Sequence, residues 1–188
     1  MAVIAPPAPP AAARRRTRGP RPGEPYLTRR PRQRMAVAVT RGDPIVVLPK
    51  VMPALYGAVY RHKFALKKLG KPTFKVGPLT GRWPDAHRVP REKWTAYWGL
   101  AVPSGTRTLP QLNPEVPIRL ETWDYGRMVA EVLHIGPYSE EGPVIQALHA
   151  FIKASGYEMA GVHEEEYLSA PGARVQKTLI RYPVRKRG

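Results

Sequence analysis

Apolar positions change period several times along the chain, and each change marks an element. Ile45–Leu48 is a continuous apolar run, which predicts a short strand. Leu55, Val59, His62, Leu66 and Leu69 then recur every three or four residues, one face of a helix that Pro53 opens and Gly70 stops. Thr73–Trp83 and Trp94–Val102 read as strands on either side of an Asp85–Glu92 loop. Ile118–Trp123 and Arg127–Ile135 read as a hairpin around Asp124-Tyr125-Gly126. Gly136-Pro137-Tyr138 breaks the second of these strands. Ser139 then caps a helix with Glu140 and Glu141 in its first turn, where negative charge is favoured. Val144, Ile145, Leu148, Phe151 and Ile152 form its buried stripe and Gly156 stops it. Glu158–Leu168 and Val175–Pro183 are the last expected strands.

Each half, about 45–103 and 117–185, thus reads strand, helix, glycine stop, strand, loop, strand. Two such units predict an α+β fold, an antiparallel sheet with helices on one face. The helix-free face is expected to be concave and to hold a ligand pocket.

Charge changes the picture at the N-terminus. The chain has 31 Lys+Arg against 14 Asp+Glu, a net charge of +17. Residues 1–34 hold nine of the arginines, eight prolines and a single acid. Such a segment buries too little apolar surface to offset chain entropy, so it is expected to be a disordered extension, with the domain occupying 35–188. Met35 reads as a second possible start. The basic extension can hold nucleic acid non-specifically at most, because no helix-turn-helix, zinc-finger or RNA-binding motif accompanies it. No apolar run approaches a membrane span and no apolar segment follows Arg14-Arg15-Arg16 as a signal sequence requires, so no membrane partner and a cytoplasmic location are expected. The absence of Cys excludes a disulfide scaffold, a thiol nucleophile and a Cys-ligated metal. The five His residues form no compact ligand set and no phosphate-binding glycine motif is present, so neither metal nor nucleotide cofactor is expected.

Two groups of residues can carry chemistry. In His163-Glu164-Glu165-Glu166-Tyr167 side chains alternate, so Glu165 shares a face with His163 and Tyr167 while Glu164 and Glu166 point the other way. A pocket-facing Glu165 can bind a cation or act as a general base. The same run also fits an edge strand whose charge discourages pairing. The second group is aromatic: Trp83, Trp94, Trp98, Trp123, Tyr125, Tyr138 and Tyr167 come from segments expected on the helix-free face, where they would stack on a flat ligand, although any one of them also suits a core.

Several segments resemble the GyrI-like small-molecule-binding family in that family's order. His134–Glu141, HIGPYSEE, resembles its HxGPYxE segment, and Gly161–Ser169, GVHEEEYLS, its GxHHEIYLS strand. Lys177–Val184, KTLIRYPV, resembles KTIIRxPV. Phe74–Trp83, FKVGPLTGRW, is similar to YxVxPLEGLWW, and Lys93–Thr95 to WKWT. The resemblance implies duplicated βαββ-type (SHS2/GyrI-like) units with a pocket between the repeats. It implies a drug- or xenobiotic-binding protein, and one stand-alone subfamily comprises cyclopropanoid cyclopropyl hydrolases. These open the cyclopropane of DNA-alkylating natural products related to yatakemycin and the duocarmycins in an aromatic cage, a detoxifying or self-resistance activity. On this likeness Glu165 and Tyr167 are the expected catalytic residues, and Trp83, Trp94 and Tyr138 coincide with the family's motif aromatics; with Trp98, Trp123, Tyr125 and His163 from the strand pattern they are expected to bind a small flat aromatic or hydrophobic ligand. A drug-sequestering protein without turnover, or an anti-gyrase partner, would use the same scaffold. The sequence departs from the family at Thr80 and Pro84, which stand where the family has Glu and Trp.

Overall fold

The computed structural model describes residues 20–170 and 172–188. Among these residues there are nine strands: β1 (Tyr26–Arg30), β2 (Gln33–Arg41), β3 (Leu79–Trp83), β4 (Thr95–Ala101), β5 (Arg119–Trp123), β6 (Arg127–Ile135), β7 (Tyr157–Met159), β8 (His163–Tyr167) and β9 (Lys177–Lys186). Two α-helices accompany them, α1 (Pro44–Lys68) and α2 (Gly142–Ala154). The class is α+β, as expected.

Helix α1 absorbs the run expected as a first strand. Asp43 caps it by accepting from the Ile45 amide at 2.9 Å, and Pro44 suits its first turn. Four apolar residues in a row fit either element, and the cap decides for helix. Pro49 and Pro53 lie inside α1 rather than at its start. Val51, Ala54, Leu55, Ala58 and Val59 form its buried face, and Gly70, at φ 64°, follows its end as expected. Thr73–Trp83 shortens to β3, because only Leu79–Trp83 finds partners.

The strand order is β1-β6-β9-β8-β3-β4-β2-β5, with β7 paired to the end of β9. All pairings between named strands are antiparallel. The order β2-α1-β3-β4 recurs as β6-α2-β8-β9, and in each set the last strand pairs with the other two. The first set therefore begins at Gln33, not near residue 45. The two sets join where β3 meets β8, with Gly81 opposite Glu165 and Trp83 opposite His163. Helix α1 packs on Ala36, Ala38, Ala96 and Leu100 of one half, and α2 packs on Ala130, Val132, Ile180 and Val184 of the other.

Two expectations are corrected by long-range pairing. Order does not begin near Met35: β1 pairs along its whole length with β6, and β2 runs through residues 33–35. Tyr26 and Arg30 donate to Glu131 at 2.7 and 2.8 Å, which gives an arginine-rich segment partners inside the fold. The expected disorder of residues 1–19 lies outside the described residues. Nor do β5 and β6 form a hairpin. The turn exists, with Gly126 at φ 61° donating to Asp124, but β5 pairs with β2 while β6 pairs with β1 and β9.

Candidate functional site

Strand β8 alternates as its sequence requires, and the two faces of the sheet receive different chemistry. Glu165, flanked by His163 and Tyr167, lies on the helix-bearing face rather than the helix-free one. There its carboxylate accepts from the Tyr167 hydroxyl at 2.7 Å and bonds His163 Nε2 at 2.7 Å. His163 Nδ1 lies 2.8 Å from the Tyr182 hydroxyl, so the ring is held from both sides. Burial pushes the Glu165 carboxyl up. The His163 hydrogen bond and charge, the Tyr167 hydroxyl and the nearby Trp83 indole N–H outweigh it and hold the group below the usual carboxylate range. The Tyr167 hydroxyl is held well above its usual range by burial and by the Glu165 charge, so it stays a donor. Gly81 leaves the room for this convergence: a Cβ there would sit 3.1 Å from the Tyr167 hydroxyl and 3.3 Å from Trp83 Nε1.

Aromatic rings wall the carboxylate. Trp83 meets Trp98 edge-on at 5.0 Å and Trp94 at 5.5 Å between ring centroids. Tyr167 contacts Trp98 at 6.3 Å and Tyr138, edge-on, at 5.6 Å. Trp98 is fully buried and bonds Thr40 Oγ1 at 2.9 Å, so it floors the cluster. Tyr138, 46 % exposed, stands at the rim.

Glu141 completes the site and was missed by local reading. Helix α2 begins one residue after it, Tyr138–Glu140 forms a single 3₁₀ turn, and Ser139 caps nothing by side-chain hydrogen bond. The Glu141 side chain is not solvated in a first helical turn but 5 % exposed, beside the Glu165 carboxylate and the Thr178 hydroxyl of β9. Glu141 Oε1 and Thr178 Oγ1 are both buried without a partner in hydrogen-bond geometry. Burial first, then the Glu165 charge, pushes the Glu141 carboxyl up to about 8. At neutral pH the pair therefore holds one proton and one charge.

The opposite face binds its charges to one another. Arg181, 1 % exposed, contacts Glu164 at 2.7 Å, Glu131 at 2.9 Å and Glu166. Glu164, fully buried, also takes Arg82 Nε at 2.6 Å and the Tyr125 hydroxyl at 3.1 Å. Arg82 lies 3.9 Å over the Trp123 ring. Trp123 and Tyr125, expected in the cage, thus belong to this face, with Met35, Val37 and Val129. A cavity of about 220 Å³ opens here, lined by Arg30, Thr80, Tyr125, Glu166 and Arg181 among others. Arg30 and Arg181 both already bond the Glu166 carboxylate.

The model of the GyrI-like small-molecule-binding domain matches residues 23–184. The chain belongs to the GyrI-like family. That match begins ahead of β1, in line with its place in the sheet. Solved structures share the fold of this GyrI-like chain. An uncharacterized conserved protein from Listeria innocua is 23% identical with a TM-score of 0.74, covering 87% of this chain and 93% of its own. A hydrolase from Listeria innocua is 22% identical with a TM-score of 0.72, again over 87% and 93%. The EcmrR C-terminal domain is 13% identical with a TM-score of 0.61, over 87% and 98%. No curated protein matches the sequence. In this GyrI-like chain Thr80, where the family has Glu, pairs with Glu166 and lines the charged-face cavity, away from Glu165. Among the described residues no group of three or more His, Cys, Asp or Glu can hold a metal ion, and no helix is long and apolar enough to cross a membrane.

Proposed function

We propose that the helix-bearing face takes up a flat aromatic ligand and adds water to a strained ring in it, the substrates being cyclopropanoid alkylators of the yatakemycin and duocarmycin type. The observation that carries this reading is a half-buried, ionised carboxylate, Glu165, set among Trp83, Trp98, Tyr167 and Tyr138. Rings at these edge-on distances present faces and edges on which a planar ligand stacks, and Tyr138 at the rim is the ring that an entering ligand displaces. Stacking holds the strained carbon in line with a water, and Glu165 orients that water and takes its proton. Tyr167 and His163 position Glu165, since both bond its carboxylate. The hydrolase name of a Listeria innocua neighbour supports turnover on this fold.

A second reading, sequestration of a drug without turnover, has its own support. Two hydrogen-bond donors and the Trp83 dipole stabilise the Glu165 charge, which lowers its basicity and suits a cationic ligand. Incubation with a cyclopropanoid separates the two. Ring-opened product one water heavier, with turnover about 10²–10⁴-fold lower in Glu165→Gln and affinity little changed, is expected for the hydrolase. Tight binding with no product leaves the sequestering protein.

A further inference from the structure

Opening a cyclopropane conjugated to a carbonyl moves an electron pair onto the carbonyl oxygen, which then needs a proton. Tyr167 is a poor source of it, because burial and the Glu165 charge hold its hydroxyl well above its usual range. Glu141 lies beside that carboxylate, 5 % exposed, with Oε1 unpartnered and the fully buried, unpartnered Thr178 hydroxyl next to it. Two polar atoms so buried and so unsatisfied mark a place where a polar ligand atom completes the bonding.

We propose that Glu141 is the proton donor of the site. This rests on the hydrolase reading and assigns its missing half. The Glu141 O–H hydrogen-bonds the carbonyl oxygen of the bound ligand, and the Thr178 hydroxyl donates to the same oxygen. Water attacks the cyclopropane methylene, forming a C–O bond as the ring C–C bond breaks. The released pair travels through the conjugated ring to the carbonyl oxygen, which takes the Glu141 proton and becomes a phenol. The proton of the attacking water passes to Glu165, and transfer from Glu165 to the adjacent Glu141 restores the starting state. One water is consumed and no redox partner is needed.

The charge environment fits a carboxyl that keeps its proton. Glu165 faces Glu141 from β8, Tyr138 from the preceding turn, Tyr167 from β8 and Thr178 from β9. The first α2 turn presents backbone amides, with Ile145 N–H donating to the Glu141 carbonyl. The sole full charge acting on the carboxyl among the named neighbours is the negative one of Glu165.

The test uses the full chain and two probes: a cyclopropanoid, and 9-fluorenone, a flat ketone without a strained ring. For wild type, kcat is expected to fall as pH rises through about 8, where Glu141 loses its proton. Glu141→Gln should lower kcat by about 10²-fold or more and flatten that alkaline limb. Fluorenone affinity should weaken about tenfold above pH 8 in wild type, as a donor is replaced by a second negative charge, and stay level in Glu141→Gln. Unchanged turnover and an unchanged alkaline limb in Glu141→Gln overturn the assignment while product formation keeps the hydrolase reading. If wild type forms no product, the hydrolase reading fails, and fluorenone binding that is level with pH overturns the proton donor as well. Should Glu141→Gln not fold, the infrared band of a protonated carboxyl in wild type decides: present at pH 7 and lost above pH 8 supports the proposal, and absent at pH 7 ends it.

Discussion

The two faces of β8 carry the same residue type in opposite circumstances. Glu164 and Glu166 meet arginines: Arg82, Arg181 and Arg30 neutralise them and Glu131 within a lattice that is nearly dry at its centre. Glu165, one residue away, meets a histidine, two hydroxyl-bearing aromatics and another carboxyl. A carboxylate matched by a guanidinium has no remaining call on a ligand, since both groups have met their desolvation with each other. A carboxylate beside a protonated carboxyl has no such match, and the unsatisfied oxygens of Glu141 and Thr178 remain open to one. Burial alone therefore does not separate a structural acid from a chemical one; the identity of the partner does.

The largest expected effect lies on the lattice side. Arg181→Met keeps much of the volume and leaves three buried or half-buried carboxylates without their shared cation. A loss of about 3–5 kcal/mol is expected in urea unfolding, enough to threaten the fold. Stability unchanged by that substitution would dissolve the contrast between the faces. Next comes the N-terminus. A chain starting at Met35 loses β1, the Tyr26 and Arg30 bonds to Glu131, and the Arg30 bond to Glu166. It should unfold at least about 3 kcal/mol more easily, since each bond to a charged group is worth roughly 1.5–3 kcal/mol.

The sharpest comparison uses neighbouring residues. Glu164→Gln should lower the melting temperature and spare ligand chemistry, whereas Glu165→Gln should spare the melting temperature and suppress turnover or cation binding. A reversed outcome, read by calorimetry and product formation on the same two variants, would mean that the faces have exchanged roles. The smallest effect is the pH dependence of stability. The folded Glu141 carboxyl sits at about 8 against an ordinary 4.5, so between these values the folded state binds more protons. That contribution is complete below about pH 4.5 and is lost as pH rises through about 8. Wild type should therefore lose more melting temperature than Glu141→Gln between pH 5 and pH 9.

Local pattern made much of this legible. The alternation in His163–Tyr167 separates Glu165 from its neighbours, the stripe of α2 holds, that of α1 holds at Leu55 and Val59 while Leu69 is exposed, and Gly70 and Gly156 follow the helices they stop. What local pattern could not carry is the identity of distant partners. Arg30 looks like part of a solvated tail until Glu131 and Glu166, 101 and 136 residues on, close around it. Which face Glu165 shares depends on where both helices pack, and Trp123 and Tyr125 fall on the other one. Glu141 reads as an ordinary first-turn acid because its decisive neighbour is on another element. A helix start whose acid follows a Gly-Pro-Tyr turn was the available hint, since such a turn can aim the side chain back at the sheet.

The junction of β3 with β8 gives the molecule a mechanical property. Trp83 belongs to one half, and His163, Glu165 and Tyr167 belong to the other, so the proposed binding surface exists only while the halves are zipped together. A ligand gripped there acts as a rivet across the joint: it raises the force needed to peel the halves apart, and the grip vanishes entirely once they part.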